Sequence, residues 1–320
     1  MFRMRPRILD PADIPAGLYS PGGIIIFPRC LTEAYRSVLQ SRGLFDRADA
    51  ALHGGGSIGG PAPTDAASHF VSAFSGSCAR AKLAVLDPKY ELQDASDLFM
   101  RAFAGGRVAL LDAPCGAGAA SGALLATVAE LRRLEVIPRL PLEVRLVAGD
   151  ISPDALGCAT EVFERMREPL REQGIFVSAI FRQWNLLDEL STTQLLHDWM
   201  VHAPDCREHF LLMANFSGFL QSGGNFKEGQ QRLEEMFRWA AVRRSTVAWL
   251  EPQTNAALVT MWPKVIKRLF AKTLSLVGVS QLSELEAGPL LTDAKFQHPL
   301  REDRHHSVKL SLVRMTRNVG

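Results

Sequence analysis

The apolar residues of the chain fall into two regimes. Up to about residue 104 their spacing is helical. Ala34, Val38 and Leu39, followed by Phe45 and Leu52, predict a helix over residues 32 to 51. Thr64-Asp65 can cap a helix through His69, Phe70, Ala73 and Phe74, and a second helix fits Ser77 to Leu86, stopped by Asp87-Pro88. A third runs from Asp94 to Phe103, with Leu98, Phe99 and Ala102 on one face and Gly105-Gly106 at its end. Between the first two lies His53-Gly-Gly-Gly-Ser-Ile-Gly-Gly-Pro-Ala-Pro63, where so much Gly and Pro predicts a loop or lid. No Gly-Lys-Ser/Thr follows it, so it does not read as a phosphate loop.

From Arg107 onward, short apolar runs alternate with helical stretches. The runs are Val108–Asp112, Leu142–Ala148, Ile175–Phe181, Phe210–Ala214 and Thr246–Leu250. Helices are expected over 119–134, 152–173, 192–201, 230–242 and 263–276. Lys295–Leu300 and Ser307–Arg314 read as an antiparallel pair joined by a polar loop that holds His305-His306. Repeated β-α units require a parallel sheet covered on both faces. The expectation is therefore an α/β fold with a doubly wound, mostly parallel seven-stranded sheet and an antiparallel C-terminal strand. A mainly helical N-terminal region, residues 1–104, would cap a core of residues 105–320. Such a sheet binds its ligand outside the carboxyl ends of its strands.

Composition narrows the class. Apolar residues make up 47% of 320 residues, which is globular and excludes a disordered chain. A net charge of +2 gives no global case for nucleic acid or an anionic membrane. No apolar run reaches the roughly 18 residues of a spanning helix. The run Gly22–Phe27 is too short for a signal-peptide core, and the expected location is cytoplasmic, with no membrane partner. Five scattered cysteines, none in a Cys-x-x-Cys pair, read as reduced thiols, and no metal site is expected.

The chemistry sits at the strand ends. Asp112-Ala-Pro-Cys-Gly-Ala-Gly118 is a strand running into a Gly-rich turn and a helix. Gly116 and Gly118 let backbone N–H groups approach a ligand, and the helix presents its positive end there. This segment resembles the first motif of class I S-adenosylmethionine-dependent methyltransferases, and the order of elements follows that family from Gly106 to Arg314. The resemblance implies that Asp112 lies near the methionine amino end of S-adenosyl-L-methionine. Pro114, Cys115, Gly116 and Gly118 would shape the pocket wall. A dinucleotide site fits less well. Gly116-Ala-Gly118-Ala-Ala-Ser121 departs from Gly-x-Gly-x-x-Gly, and Asp112 would repel a pyrophosphate.

The resemblance assigns the other tips as well. Asp150 would accept the ribose hydroxyls, and Ile151 would pack on the adenine. Asn185, or alternatively Asp188, would accept from the adenine amino group, with Leu186 at the ring edge. Trp184 is either core or contact. Asn215 and Phe216, in Asn215-Phe-Ser-Gly218, would face the methyl group, where related amino-group enzymes carry Asn/Asp-Pro-Pro-Tyr/Phe; both prolines are absent here. Glu251 is a candidate for orienting substrate or acting as a general base, so Asn215 and Glu251 are the catalytic candidates. Cys115 lies in the cofactor turn and reads as structural. The implied function is methyl transfer from S-adenosyl-L-methionine to an RNA or a small molecule. The alternative is a cofactor-binding interaction protein that has lost catalysis. Arg232, Arg238, Arg243, Arg244, Lys264, Lys267, Arg268 and Lys272 would serve RNA, or form solvated helix faces.

Overall fold

The computed structural model describes residues 7–51, 63–243, 245–253 and 289–315, with parts of 264–272. The Gly-rich stretch, Leu52, Arg244, Lys267 and half of the helix expected over 263–276 lie outside the described residues.

The chain is α/β. Among the described residues there are eight strands: β1 (Ile24–Ile25), β2 (Gly106–Asp112), β3 (Leu142–Asp150), β4 (Ile175–Gln183), β5 (Glu208–Ala214), β6 (Thr246–Pro252), β7 (Leu290–His298) and β8 (Arg301–Met315). They form one sheet in the order β1-β7-β8-β6-β5-β2-β3-β4. Strands β2 to β6 pair in parallel, and β8 runs antiparallel to both β6 and β7. The chain moves outward from β2 through β3 to β4, then returns to the other side of β2 for β5 and β6. The sheet therefore reverses direction between β2 and β5, and a crevice opens at such a point beyond the strand ends.

Alternating residues of the central strands feed two cores. Val108 and Leu110 of β2, Phe210 and Leu212 of β5, and Ala248 and Leu250 of β6 face one core. Their neighbours Ala109, Leu111, Leu211, Met213, Val247 and Trp249 face the other. Being buried on both faces is what makes these strands near-continuous apolar runs. The first core takes α1 (Arg29–Ser41), α2 (Phe45–Ala50), α3 (Pro63–Leu86), α4 (Ala95–Phe103), α5 (Ala119–Arg133) and α6 (Pro153–Glu172). The second takes α7 (Glu189–His202), α8 (Ser217–Gln221) and α9 (Asn225–Val242).

Four departures from the sequence reading have local causes. The helix expected over 32–51 is two helices, because Gly43 takes a left-handed φ of +65° between them. The two helices expected on either side of Ser77 are one, α3, of 24 residues and about 36 Å at 1.5 Å per residue. Apolar burial on both sides of Ser77 carries the helix through it, and the Ser77 hydroxyl donates back to the Ala73 carbonyl at 2.9 Å. The polar loop expected around His305-His306 is strand, with His306 opposite Phe296 and His305 opposite Gln297; β7 and β8 are joined by Pro299-Leu300 alone. An eighth strand, β1, comes from the N-terminal region and pairs in parallel with β7, Ile24 with Lys295 and Ile25 with Phe296. Among the described residues, no helix is long and apolar enough to cross a membrane.

Candidate functional site

The turn after β2 is tied to the strands on either side. The Ala113 N–H donates to the Leu212 carbonyl at 3.1 Å, and the Cys115 N–H donates to the Gly149 carbonyl at 2.8 Å. Its two glycines do different work. Gly116 (φ +53°) would carry a Cβ into open space, whereas Gly118 (φ +74°) would press a Cβ to 3.0 Å from the Phe163 ring and 3.4 Å from Ala159, both on α6. Gly118 thus allows α5 and α6 to close, and Gly116 leaves space on the outer side of the turn. Gly116→Ala should cost only the left-handed strain, about 1–2 kcal/mol. Gly118→Ala adds overpacking of about 1–3 kcal/mol to that strain. Denaturant unfolding of the two variants measures the difference.

Asp112, at the carboxyl end of β2, is fully buried. One carboxylate oxygen accepts from the Ser121 hydroxyl at 2.5 Å, and Oδ1 has no partner. Burial pushes its pKa up to about 7. The folded protein then holds this proton between about pH 4, the unfolded value, and pH 7. Stability from this group is present below that window and is lost as pH rises through it, because the native state binds the extra proton. Asp112→Asn should remove that slope, so its stability relative to the parent rises by about 4 kcal/mol from pH 4 to pH 7. Unfolding titrations of parent and variant across that range check it.

Asp150 ends β3 and ties the second tip to the first. Its Oδ2 accepts from the Gly116 N–H at 2.9 Å and its Oδ1 from the Ser152 N–H at 3.0 Å. Burial pushes its pKa above the usual carboxylate value, against the pull of those N–H donors. Each oxygen keeps a lone pair for a further donor. Ser152 caps α6 through its hydroxyl, which accepts from the Ala155 N–H at 3.3 Å, and this fixes the Ile151 turn.

After β4, the Asn185 carbonyl oxygen accepts from the Leu187 N–H at 3.0 Å, an Asx turn that engages the group that the resemblance assigns to adenine. Asp188 caps α7 by accepting from the Leu190 N–H at 3.0 Å. Trp184 is buried, with its indole N–H on Thr192 Oγ1 at 3.1 Å.

The fourth tip is held by the fifth. Asn215 sits at φ +57°, and its N–H donates to the Leu250 carbonyl at 2.9 Å. Glu251, 7% exposed, accepts through Oε1 from the N–H groups of Phe216 and Ser217, both at 2.8 Å, and from the Trp249 indole at 2.6 Å. Its Oε2 accepts from the Ser217 hydroxyl at 2.7 Å. Four donors converge on one carboxylate, so Glu251 fastens the β5 tip. Burial raises its pKa against those bonds. Phe216 stacks on Phe219 with ring centroids 5.3 Å apart and planes at 4°.

These tips surround one cavity of about 440 Å³. Pro114, Cys115, Gly116, Asp150, Ile151, Asn185, Leu186, Asn215, Phe216 and Glu251 all line it. Asp112 and Gly118 do not: the first turns toward Ser121 and the second toward Phe163. Cys115 is buried, and burial beside Asp150 and Asp112 raises its thiol pKa far above the usual value, so it stays a neutral thiol.

The remaining wall is α3. Ala66, His69, Phe70, Ala73, Phe74, Ser77 and Arg80 line the cavity at helical spacing. The Ser77 hydroxyl accepts from the Asn215 side-chain amide at 2.9 Å and from an Arg80 guanidinium nitrogen at 3.3 Å. Asn215 Oδ1 is left buried without a partner. The signal that would have found Ser77 and Arg80 is the one unbroken helical stripe from Ala66 onward. Of the basic residues considered for RNA, Arg232 lies 3.8 Å from Glu189 and Lys272 lies 3.0 Å from Glu234, so both have partners within the chain.

No protein-family model matches this chain, and no curated protein does.

Proposed function

We propose that the protein is a methyltransferase that takes its methyl group from S-adenosyl-L-methionine, with donor and acceptor meeting in the cavity beyond β2 and β5. The observation that carries this reading is the convergence of the Gly116 turn, Asp150, Ile151, Leu186 and Asn215 on one space at the reversal of the sheet. The residues fit the donor in three respects. Gly116 leaves room where a Cβ would project. Asp150 offers an acceptor on each carboxylate oxygen for a ribose diol. Ile151 and Leu186 give apolar surface for a purine. Asp112, fitted by the resemblance to the methionine end, lies behind the turn and supports it through Ser121.

When bound, S-adenosylmethionine supplies an already activated methyl group, so the protein's task is alignment and exclusion of water. Asn215 Oδ1 is the free acceptor on the acceptor side, suited to an N–H or O–H of the incoming nucleophile. Ser77 sets its direction by holding the amide nitrogen. Phe70, Phe74, Phe216 and Phe219 give apolar walls that keep water out. Glu251 accepts four donors from the β5 tip and from Trp249, three of them on Oε1, and so is assigned to orient the tip rather than to take a proton.

That structural engagement of Glu251 also favours a second reading, a cofactor-binding interaction protein without turnover. Incubation with methyl-tritiated S-adenosylmethionine and separate pools of RNA and small metabolites separates the two. The proposal expects tritium in one pool. S-adenosylhomocysteine binding with no tritium in either pool supports the second reading. Binding of NAD with neither adenosyl ligand overturns both.

A further inference from the structure

Arg80 is the one cation among the described residues that line the cavity, apart from the titratable His69. It stands one turn beyond Ser77 on α3, near the tips of β5 and β6 rather than those of β3 and β4. A guanidinium has five N–H donors in a planar fork. Here one terminal nitrogen bonds Ser77, Nε is buried without a partner, and no ion pair holds the group among the described residues. The carboxylate whose field acts on it is Glu251, which already accepts four other donors. A cation that is largely withdrawn from water, with its Nε buried and no ion pair among the described residues, is costly unless an anion completes it.

We propose that Arg80 is the anion-recognition residue of the cavity, taking a carboxylate or phosphate carried by the methyl acceptor. The word acceptor rests on the methyltransferase reading; the anion site itself does not. Three observations favour the acceptor over the donor as the source of the anion. Asp150 and Leu186, the groups suited to an adenosine, lie at the β3 and β4 ends of the cavity. Ser77 joins Arg80 to Asn215, the free hydrogen-bond acceptor assigned to the nucleophile. Phe70 and Phe74, packed edge-to-face with ring centroids 5.0 Å apart, share the α3 face with Arg80 and give apolar surface for a body beside the charge. Burial lowers the Arg80 pKa only to about 10, so the cation persists at neutral pH. The acceptor class is thus a compact molecule with an aromatic or apolar body and an anionic group, or a nucleotide phosphate next to its base.

Calorimetry on the full chain tests this with benzoate and phenyl phosphate against neutral benzamide, and with S-adenosylhomocysteine against methylthioadenosine, which lacks the amino-acid end. In the parent, at least one anionic probe should bind ten times more tightly than benzamide. Arg80→Met should abolish that preference, and Arg80→Lys should retain part of it, because it keeps the charge and loses the fork. S-adenosylhomocysteine affinity should change less than threefold in both variants. Equal binding of charged and neutral probes to the parent overturns the proposal, whether or not Arg80→Met folds. A tenfold loss confined to S-adenosylhomocysteine, with methylthioadenosine unchanged, also overturns it by assigning Arg80 to the donor carboxylate. An Arg80-dependent preference in a protein that binds no adenosyl ligand upholds the anion site and removes the methyltransferase reading instead.

Discussion

Asp150→Ala is expected to lower the affinity for S-adenosylhomocysteine by about a hundredfold, from the loss of two charge-assisted bonds worth about 1.5–3 kcal/mol each before water compensates. The carboxylate has two tasks. It would receive the ribose hydroxyls on its open side, and it already receives the N–H groups of Gly116 and Ser152 on the other. The substitution therefore also frees the Gly116 turn, which acts in the same direction on binding. Stability should fall by only about 1–3 kcal/mol, the usual cost of leaving buried donors without an acceptor. Burial holds the Asp150 pKa above that of an exposed aspartate. Because the ionised form is the better acceptor, affinity should decline as pH is lowered, and the decline should begin at a higher pH than an ordinary aspartate would give. Calorimetry of parent and variant from pH 5 to pH 8 reads both effects. Less than tenfold loss with an intact fold would reduce Asp150 to a turn acid.

The largest expected effect on stability is at Glu251. Removing its carboxylate leaves the Phe216 and Ser217 N–H groups, the Trp249 indole and the Ser217 hydroxyl with no acceptor inside a buried corner. Each such donor costs about 1–3 kcal/mol, and groups in one network do not add, so Glu251→Ala should cost about 3–5 kcal/mol. Glu251→Gln should cost less, about 1–3 kcal/mol, since one oxygen still accepts while the new amide meets a donor. A general base would behave differently, with Glu251→Gln abolishing turnover at unchanged stability. Urea unfolding, with near-ultraviolet circular dichroism to follow Trp249, tells the two apart.

The parts of this site that were legible in the sequence are those where one short segment carries both the backbone signal and the chemistry. Asp112 to Gly118 shows a strand, a turn and a helix start within seven letters, and Gly149-Asp150 shows a strand end with an acid. The parts that were not legible depend on partners far apart in the chain. Asn215 and Ser77 are 138 positions apart, and nothing local announces that α3 lies across the strand tips. Gly76 and the serines around it look like a helix break, yet apolar burial on both sides of them carries α3 straight through. The orientation of Asp112 was hidden for a similar reason: its partner Ser121 is on the next helix, and only the fold turns the carboxylate inward. In β8, Arg301 to His306 read as polar loop because much of this stretch is exposed and pairs with β7 alone, beyond the reach of β6, so burial cannot impose an apolar pattern. Two-residue β1 is shorter than any periodic signal.

A crystal structure of the full chain with S-adenosylhomocysteine is the most direct test of the central claim, that the cavity beyond β2 and β5 is a methyl-donor site. The account predicts the ribose hydroxyls on Asp150, the adenine between Ile151 and Leu186, the Gly116 turn against the ligand, and the sulfur directed toward Asn215. Ligand bound elsewhere on the molecule, or a dinucleotide seated in the cavity in preference to the adenosyl ligand, would contradict it.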